Sequence, residues 1–205
     1  MRLMLATIVA AILTAGVANA ETRALSGFDS VSAAGRVSVE IVVGPAYSVE
    51  LTGPRVDNVV TRVEGGQLRI EPDRNRRGRW SGRDAHVRIT MPDLGGLDVA
   101  AGAEVDTRQV AADVFLLGVS SGASAQVAGR CGVLRLDISS GASARAQQLR
   151  CADVCAEASS GANATVYASS TISVDGSSGA SLRWMGEASV RNLDLSSGAS
   201  ARRVN

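Results

Sequence analysis

From residue 95 onward, apolar and polar residues alternate along the chain, and the alternation restarts every 18 to 20 residues. Each restart is marked by Ser-Ser-Gly-Ala-Ser or a variant of it. The central glycines are Gly102, Gly122, Gly141, Gly161, Gly179 and Gly198. Counted from these glycines, the odd positions are mostly apolar and the even positions are often polar. A period of two is typical of β-strands, whereas a helix would need spacings of three and four.

A repeat of this length matches one coil of a β-solenoid. One coil cannot bury its apolar face alone, but stacked coils can, with parallel strands about 4.8 Å apart. We therefore predict an all-β fold, a single-stranded parallel β-helix with coils of roughly 19 residues over residues 95–205. The alanine that follows every central glycine predicts a tight corner, and the flanking serines predict columns of hydroxyl groups.

Residues 21–94 alternate in the same way but without the repeat. We interpret them as short β-strands that are continuous with the solenoid and cap its first coil. At the other end the sequence stops at Arg202, Arg203, Val204 and Asn205. Two interpretations of that open end remain: the arginines protect it, or another subunit covers it in a homo-oligomer.

The first twenty residues have the features of a signal peptide. Arg2 precedes an apolar run that is shorter than the roughly 20 residues of a membrane span. The run ends in Ala18-Asn19-Ala20, which predicts cleavage after Ala20. No second long apolar segment follows, so we expect an exported, soluble mature chain. A net charge of +1 gives no general attraction to nucleic acid.

The cysteines test the stacking. Cys131 and Cys151 each lie ten residues before a central glycine, so adjacent coils would place their Cα atoms about 5 Å apart. Disulfides persist outside the cytoplasm, and we predict a Cys131–Cys151 bond. Cys155 has no such partner and is predicted to be a free thiol.

Three segments before the repeats complete a recognisable pattern: VSVEIVVGPAYSVELTG at 37–53, VEGGQLRIEP at 63–72 and VRITMPDLGGLDVAAGAEV at 87–105. Together with the SSGAS repeats, they resemble the bacterial DUF2807 family of auto-transporter adhesin head GIN domains. The resemblance implies an exported parallel β-helix that is right-handed. It brings no catalytic residues and no cofactor.

Enzyme motifs are weak. Residues Gly118–Gly122 match the G-x-S-x-G pattern, but that motif needs a strand-to-helix turn and a histidine base. His86 is the only histidine, and it lies in an alternating segment, so we interpret it as a structural residue. With one histidine and three cysteines, we expect no metal site.

An acidic column lies four residues before the central glycines and includes Asp137, Glu157, Asp175 and Asp194. Either it is solvated and neutralised by arginines such as Arg135, or a cation relieves its repulsion. Acids and arginines on one face are also a feature of β-helical polysaccharide lyases, which keeps a lyase-like enzyme as an alternative.

The segment Asp73–Arg88 is locally basic. It contains the candidate binding residues Arg74, Arg76, Arg77, Arg79, Trp80 and Arg83. Arginine forks beside an indole ring suit the anionic groups and sugar rings of a glycan. The other interpretation is a solvated loop whose composition reflects a chain that contains no lysine.

The sequence therefore predicts a non-enzymatic, adhesin-like binding or structural module of the bacterial envelope, located in the periplasm, on the outer surface or in the medium. Its expected partner is an anionic glycan or another envelope component, and nucleic acid is not expected. The alternatives are the carbohydrate-active enzyme and a flat Ser/Thr array that orders water.

Overall fold

The computed structural model describes residues 20–73, 75 and 85–204, which form fifteen β-strands and one short 3₁₀ turn, Val56–Asn58. The strands are β1 Ala20–Thr22, β2 Ser30–Ala34, β3 Val37–Val43, β4 Ser48–Thr52, β5 Val59–Glu64, β6 Gln67–Pro72, β7 Ala85–Met91, β8 Gly96–Ala100, β9 Glu104–Val119, β10 Ser124–Ile138, β11 Ser143–Ala158, β12 Asn163–Gly176, β13 Ser181–Met185, β14 Ser189–Leu195 and β15 Ser200–Arg203. No α-helix occurs in these residues. The all-β prediction is confirmed.

The long strands β9 to β12 bend in the middle, so each contributes to two sheets. The first half of β9 pairs in parallel with β3, through Ser38–Val42 and Glu104–Arg108. Its second half pairs with β8, through Gly96–Val99 and Leu116–Val119. The first sheet has the order β1-β4-β7-β3-β9-β10-β11-β12-β13-β15, and the second has the order β5-β6-β2-β8-β9-β10-β11-β12-β14. The chain is thus a two-sided parallel β-solenoid, as the repeat predicted.

The stack includes strands from before residue 95. Strands β2 and β3 form one coil, and β6 and β7 form another that stacks outside it. The chain then returns to the other side of β2 and β3 through β8 and β9. Antiparallel β4 covers β7, and antiparallel β5 covers β6, so these strands close the N-terminal end.

The SSGAS segments form the corners between the second and the first sheet. In the corner of Ser139–Ala142, the amide of Ala142 donates to the carbonyl of Ser139 at 3.2 Å. Ser140 and Gly141 have φ values of 54° and 70°, as in a type I′ turn. A Cβ on Gly141 would meet nothing within 4 Å, so the glycine is needed for its backbone conformation and not for space.

The coils stay hydrogen-bonded through these corners. The amide of Gly141 donates to the carbonyl of Ser160 in the next coil at 3.0 Å, and the amide of Gly122 donates to Ser140 in the same way. Among the described residues, no corner hydroxyl donates to the serine of the next coil. Backbone hydrogen bonds, and not the expected columns of hydroxyl groups, therefore join successive corners. The serine side chains are left partly or fully exposed.

The core lies between the two sheets and is built from short, stacked side chains. In register on four successive coils lie Phe115, Leu134, Val154 and Ile172, and all are fully buried. Five of the six corner alanines are also buried, Ala103, Ala123, Ala142, Ala162 and Ala180, whereas Ala199 in the last coil is partly exposed. Small residues let the sheets approach closely, which explains how a chain with 3% aromatic residues forms a core.

The Cys131–Cys151 disulfide is present where β10 and β11 bend from the first sheet into the second, with a Cα–Cα distance of 4.5 Å. The two cysteines are direct register partners on β10 and β11. The prediction of this bond from coil stacking is confirmed.

At the last described coil, core positions lie at the surface. Val190 and Leu193 stack on buried Ile172 and Val174 but are 48% and 44% exposed. Arg203 occupies the position that stacks on Trp184, and it pairs with Glu187. A charged side chain at an inward register position is one way in which proteins protect a sheet edge.

We predict that Gly141→Val lowers the free energy of unfolding by about 1–2 kcal/mol or more, because an L-residue is strained at this φ. Gly141→Asn should lose much less, since asparagine adopts the left-handed region more readily. Urea denaturation followed by circular dichroism measures both. Equal losses for the two variants would show that crowding, and not backbone conformation, selects the glycine.

Replacing Cys131 and Cys151 by serine should lower the free energy of unfolding by about 2–4 kcal/mol, because the bond closes a loop with a sequence separation of 20. Cys155→Ser is the matched control and should change stability little. Denaturation of oxidised and reduced wild-type protein checks the same quantity, and stability that is insensitive to reduction would contradict the expectation.

Candidate functional site

The predicted binding loop falls outside the described part of the chain. Arg74, Arg76, Arg77, Arg79, Trp80 and Arg83 are not among residues 20–73, 75 and 85–204. What the structure describes are the two strands that flank the loop, β6 and β7, which form the outer coil near the N-terminal end. The role of these residues stays a prediction, as does the signal peptide with cleavage after Ala20.

A file of arginines runs along the outer surface of the first sheet. Arg145, Arg183 and Arg202 are exposed, and they share one register file with Gln126 and Thr165. Arg183 and Arg202 lie on adjacent coils, about 5 Å apart at the backbone, and Arg145 lies two coils from Arg183. We call the outward surface of residues 124–127, 143–146, 163–166, 181–184 and 200–202 the arginine face.

The arginine face carries uncompensated charge. Its segments contain no aspartate or glutamate, and within the described residues none of the three arginines forms an ion pair. Nearer the N-terminal end, the same register file contains acids that pair with arginines. There Glu40 pairs with Arg88 at 3.2 Å, and Asp106 pairs with Arg108 at 3.1 Å. The hydrogen bond from Arg108 to Asp106 and the charge of Asp106 raise the pKa of the Arg108 guanidinium.

An arginine and a tyrosine extend this face toward the disulfide corner. The guanidinium of Arg150 lies over the ring of Tyr167, 4.6 Å from the ring centre. The two residues are register partners on β11 and β12. A cation this close to an aromatic ring is attracted by the electrons of the ring face.

The acidic column lies on the opposite side of the molecule. Asp137, Glu157, Asp175 and Asp194 are register partners on successive coils of the second sheet, and all are exposed. We call the outward surface of residues 133–138, 153–158, 171–176 and 189–195 the acidic face. The column of carboxylates that the repeat predicted is therefore real.

The acids line shallow grooves. One groove of about 290 Å³ is lined by the four carboxylates and by corner serines. Another, of about 450 Å³, is lined by Asp137, Glu157 and Asp175 together with Leu116, Arg135 and Cys155. Asp175 accepts a hydrogen bond from Asn192 at 3.0 Å. Arg135 lies in the neighbouring file, without an ion pair to the acids in the part that the structure describes. No group of three potential ligands that could hold a metal occurs among the described residues.

The residues of the serine-hydrolase pattern are not arranged as a nucleophile elbow. Ser120 and Ser121 belong to a type I′ corner, where the amide of Ala123 donates to Ser120 at 3.1 Å. The turn connects two strands, not a strand and a helix. His86 lies on β7 with its ring 3.9 Å from Glu40, on a different coil.

These geometries can be compared with known proteins. A family model described as "Putative auto-transporter adhesin, head GIN domain" matches residues 27–188, which is more than three quarters of the chain. The chain belongs to the DUF2807 family.

Solved structures with the same fold cover nearly the whole DUF2807 chain. A protein from Bacteroides fragilis that is described as a "putative adhesin" aligns with a TM-score of 0.70 at 16% identity, over 92% of this chain and 96% of its own. A protein from Parabacteroides distasonis with the same description aligns with a TM-score of 0.57 at 13% identity, over 93% of this chain and 98% of its own. A protein from the same species that is named a lipid-binding protein aligns with a TM-score of 0.53 at 15% identity, over 93% and 98%.

Family and fold together place this DUF2807 protein among adhesin-like β-solenoids. No curated protein matches it. In residues 20–73, 75 and 85–204, no helix is long and apolar enough to cross a bilayer.

The two states of cysteine in this DUF2807 protein can be distinguished chemically. Cys155 is exposed and free, whereas Cys131 and Cys151 are bonded and buried. We expect iodoacetamide to alkylate Cys155 in the native, non-reduced protein and to leave the other two unmodified. Peptide mass spectrometry measures this, with reduced and denatured protein as the control. Alkylation of Cys131 or Cys151 without reduction would contradict the assignment.

Proposed function

We propose that this protein is an exported, non-enzymatic, adhesin-like module that binds anionic polymers of the bacterial envelope through its arginine face. The observation that carries the proposal is the file of Arg145, Arg183 and Arg202, exposed, in register and without acids on the same surface. Membership of an adhesin-named family supports the kind of function. The periplasm, the outer surface and the medium are all compatible with it.

The chemistry of the file suits a repeating anion. A guanidinium binds carboxylate, sulfate or phosphate through two parallel hydrogen bonds. Because the arginines repeat with the coils, a polymer that lies along the solenoid axis meets several of them in turn. Neighbouring hydroxyl and amide groups of Ser143, Asn163 and Ser181 lie in the adjacent file and can bind sugar hydroxyls.

The basic loop is the second contact in this proposal. Arg76, Arg77 and Trp80 belong to a segment that connects β6 to β7, and β7 lies in the first sheet. Binding at both places would give one polymer chain two attachment regions.

We also keep the homo-oligomer through the open end as a proposal. Exposed Val190 and Leu193 favour a covered end, whereas Arg203 at an inward position favours a protected one.

Polymer binding is tested with the mature chain, residues 21–205, on immobilised polygalacturonate, dextran sulfate and neutral dextran. Biolayer interferometry should detect binding to the two anionic polymers that weakens as salt rises. The triple variant Arg145→Gln/Arg183→Gln/Arg202→Gln should bind about tenfold more weakly or worse, because three charge-assisted contacts are lost. The loop variant Arg76→Gln/Arg77→Gln/Trp80→Ala measures the second contact separately.

The matched control is Arg88→Gln/Arg108→Gln, which removes arginines from the same sheet that already pair with acids. It should weaken binding by less than about threefold, because exposed paired charges contribute little. Wild-type affinity in the triple variant would exclude the arginine face. Release of unsaturated products from polygalacturonate by the wild-type protein would support the polysaccharide lyase instead.

A further inference from the structure

The two outer surfaces of the solenoid carry opposite charge. The arginine face has three arginines and no acids. The acidic face has Asp137, Asp153, Glu157, Asp175 and Asp194, against Arg135 and Arg191. The net charge of the whole chain is only +1, so this separation is hidden in the composition.

The two charged files follow the same rungs because the same coils produce both. Each of β10 to β12 supplies one residue to each file; in β11 these residues are Arg145 and Glu157, whereas β10 and β12 place Gln126 and Thr165 in the arginine file. The carboxylates therefore repeat with the rung distance of about 4.8 Å, whereas Arg145 lies two rungs from Arg183 and Arg183 lies one rung from Arg202. The three arginines span four rungs, and the acidic file has a carboxylate on each of four successive rungs. If the two surfaces are brought together with the solenoid axes aligned, each arginine can therefore meet a carboxylate.

The charges on both surfaces remain available. Within the described residues, Arg145, Arg183 and Arg202 form no ion pair, and neither do Asp137, Glu157 and Asp194. Like charges on adjacent coils repel each other, and contact with the opposite file relieves that repulsion.

The second sheet also offers apolar area beside the acids. Leu116 is 52% exposed and Val114 is 44% exposed, on the coil next to the acidic face. Leu116 lines the larger groove together with Asp137 and Glu157. Aliphatic side chains beside a charged column are what a protein partner, more than a hydrated polymer, would bury.

We propose that the arginine face of one copy docks against the acidic face of a second copy. The occupant follows from the complementary charge and the shared rung spacing of the two surfaces. Because they lie on opposite sides of one solenoid, each docked pair leaves one arginine face and one acidic face free. The contact is heterologous and propagates side by side as an open array. An anionic polymer on the arginine face competes with this association.

Sedimentation velocity of the mature wild-type chain tests the proposal. At about 0.02 M salt the weight-average mass should rise with protein concentration, and at about 0.5 M salt the protein should be monomeric, because screening weakens exposed charge contacts. The arginine-face variant Arg145→Gln/Arg183→Gln/Arg202→Gln and the acidic-face variant Asp137→Asn/Glu157→Gln/Asp175→Asn should each associate at least about tenfold more weakly.

The decisive experiment is sedimentation velocity of a mixture of the arginine-face variant and the acidic-face variant. The first variant keeps its acidic face and the second keeps its arginine face, so an equimolar mixture should form a one-to-one complex that does not grow further. The matched control Glu50→Gln/Glu64→Gln/Asp93→Asn removes three exposed acids outside the acidic face and should associate like wild type. Circular dichroism and the unfolding midpoint establish that each variant is folded.

The proposal is overturned if wild-type protein stays monomeric at low salt, if the acidic-face variant associates like wild type, or if the mixture gives no complex. Association that is lost only in Val190→Ser/Leu193→Ser would assign the contact to the open end instead. Polymer binding is scored separately: the acidic-face variant should still bind polygalacturonate. Failure of polymer binding with intact self-association would reject the proposed function and leave this inference standing.

Discussion

The structure depends on the continuity of the backbone hydrogen-bond ladder through the corners. At each SSGAS segment but the last, the amide of the central glycine donates to the carbonyl of the second serine of the next coil. The ladder therefore does not stop where the chain turns from the second sheet to the first. This fixes the register of one coil on the next, because a slip by one residue would turn every buried side chain outward. The core alanines, the disulfide and both charged files follow from that register.

The corner also explains how one sequence repeat produces two different outer surfaces. Four residues before the central glycine the chain is on the outside of the second sheet, and four residues after it the chain is on the outside of the first. Aspartate or glutamate occupies the earlier position at Asp137 and Asp175, and arginine occupies the later position at Arg145 and Arg183. A single turn thus separates opposite charges by the thickness of the core, and small side chains keep that thickness low.

Much of the solenoid could be predicted from the sequence because identical corners reveal the stacking directly, and Cys131 with Cys151 tests it. The coils of β2–β3 and β6–β7 are not evident from the sequence, since no SSGAS segment marks them; β2 and β3 are joined by Gly35-Arg36. The position of β2 between β6 and β8 has no periodic signature, because pairing between strands out of chain order depends on tertiary contacts. The acidic column was visible in the repeat. The arginine file is less evident in the sequence because Gln126 and Thr165 interrupt it. Its signal is the arginine that stands four residues after three of the central glycines.

The repeated corner has a consequence for how such a molecule can change in size. Since every coil presents the same backbone groups above and below, a whole coil can be inserted or removed in the middle of the stack without altering the neighbours' hydrogen bonds. The closing strands at the N-terminal end and the last coil would be untouched by such an event. The number of charges on each flank is therefore an adjustable property, set by internal duplication, while the chemistry of each individual rung stays the same.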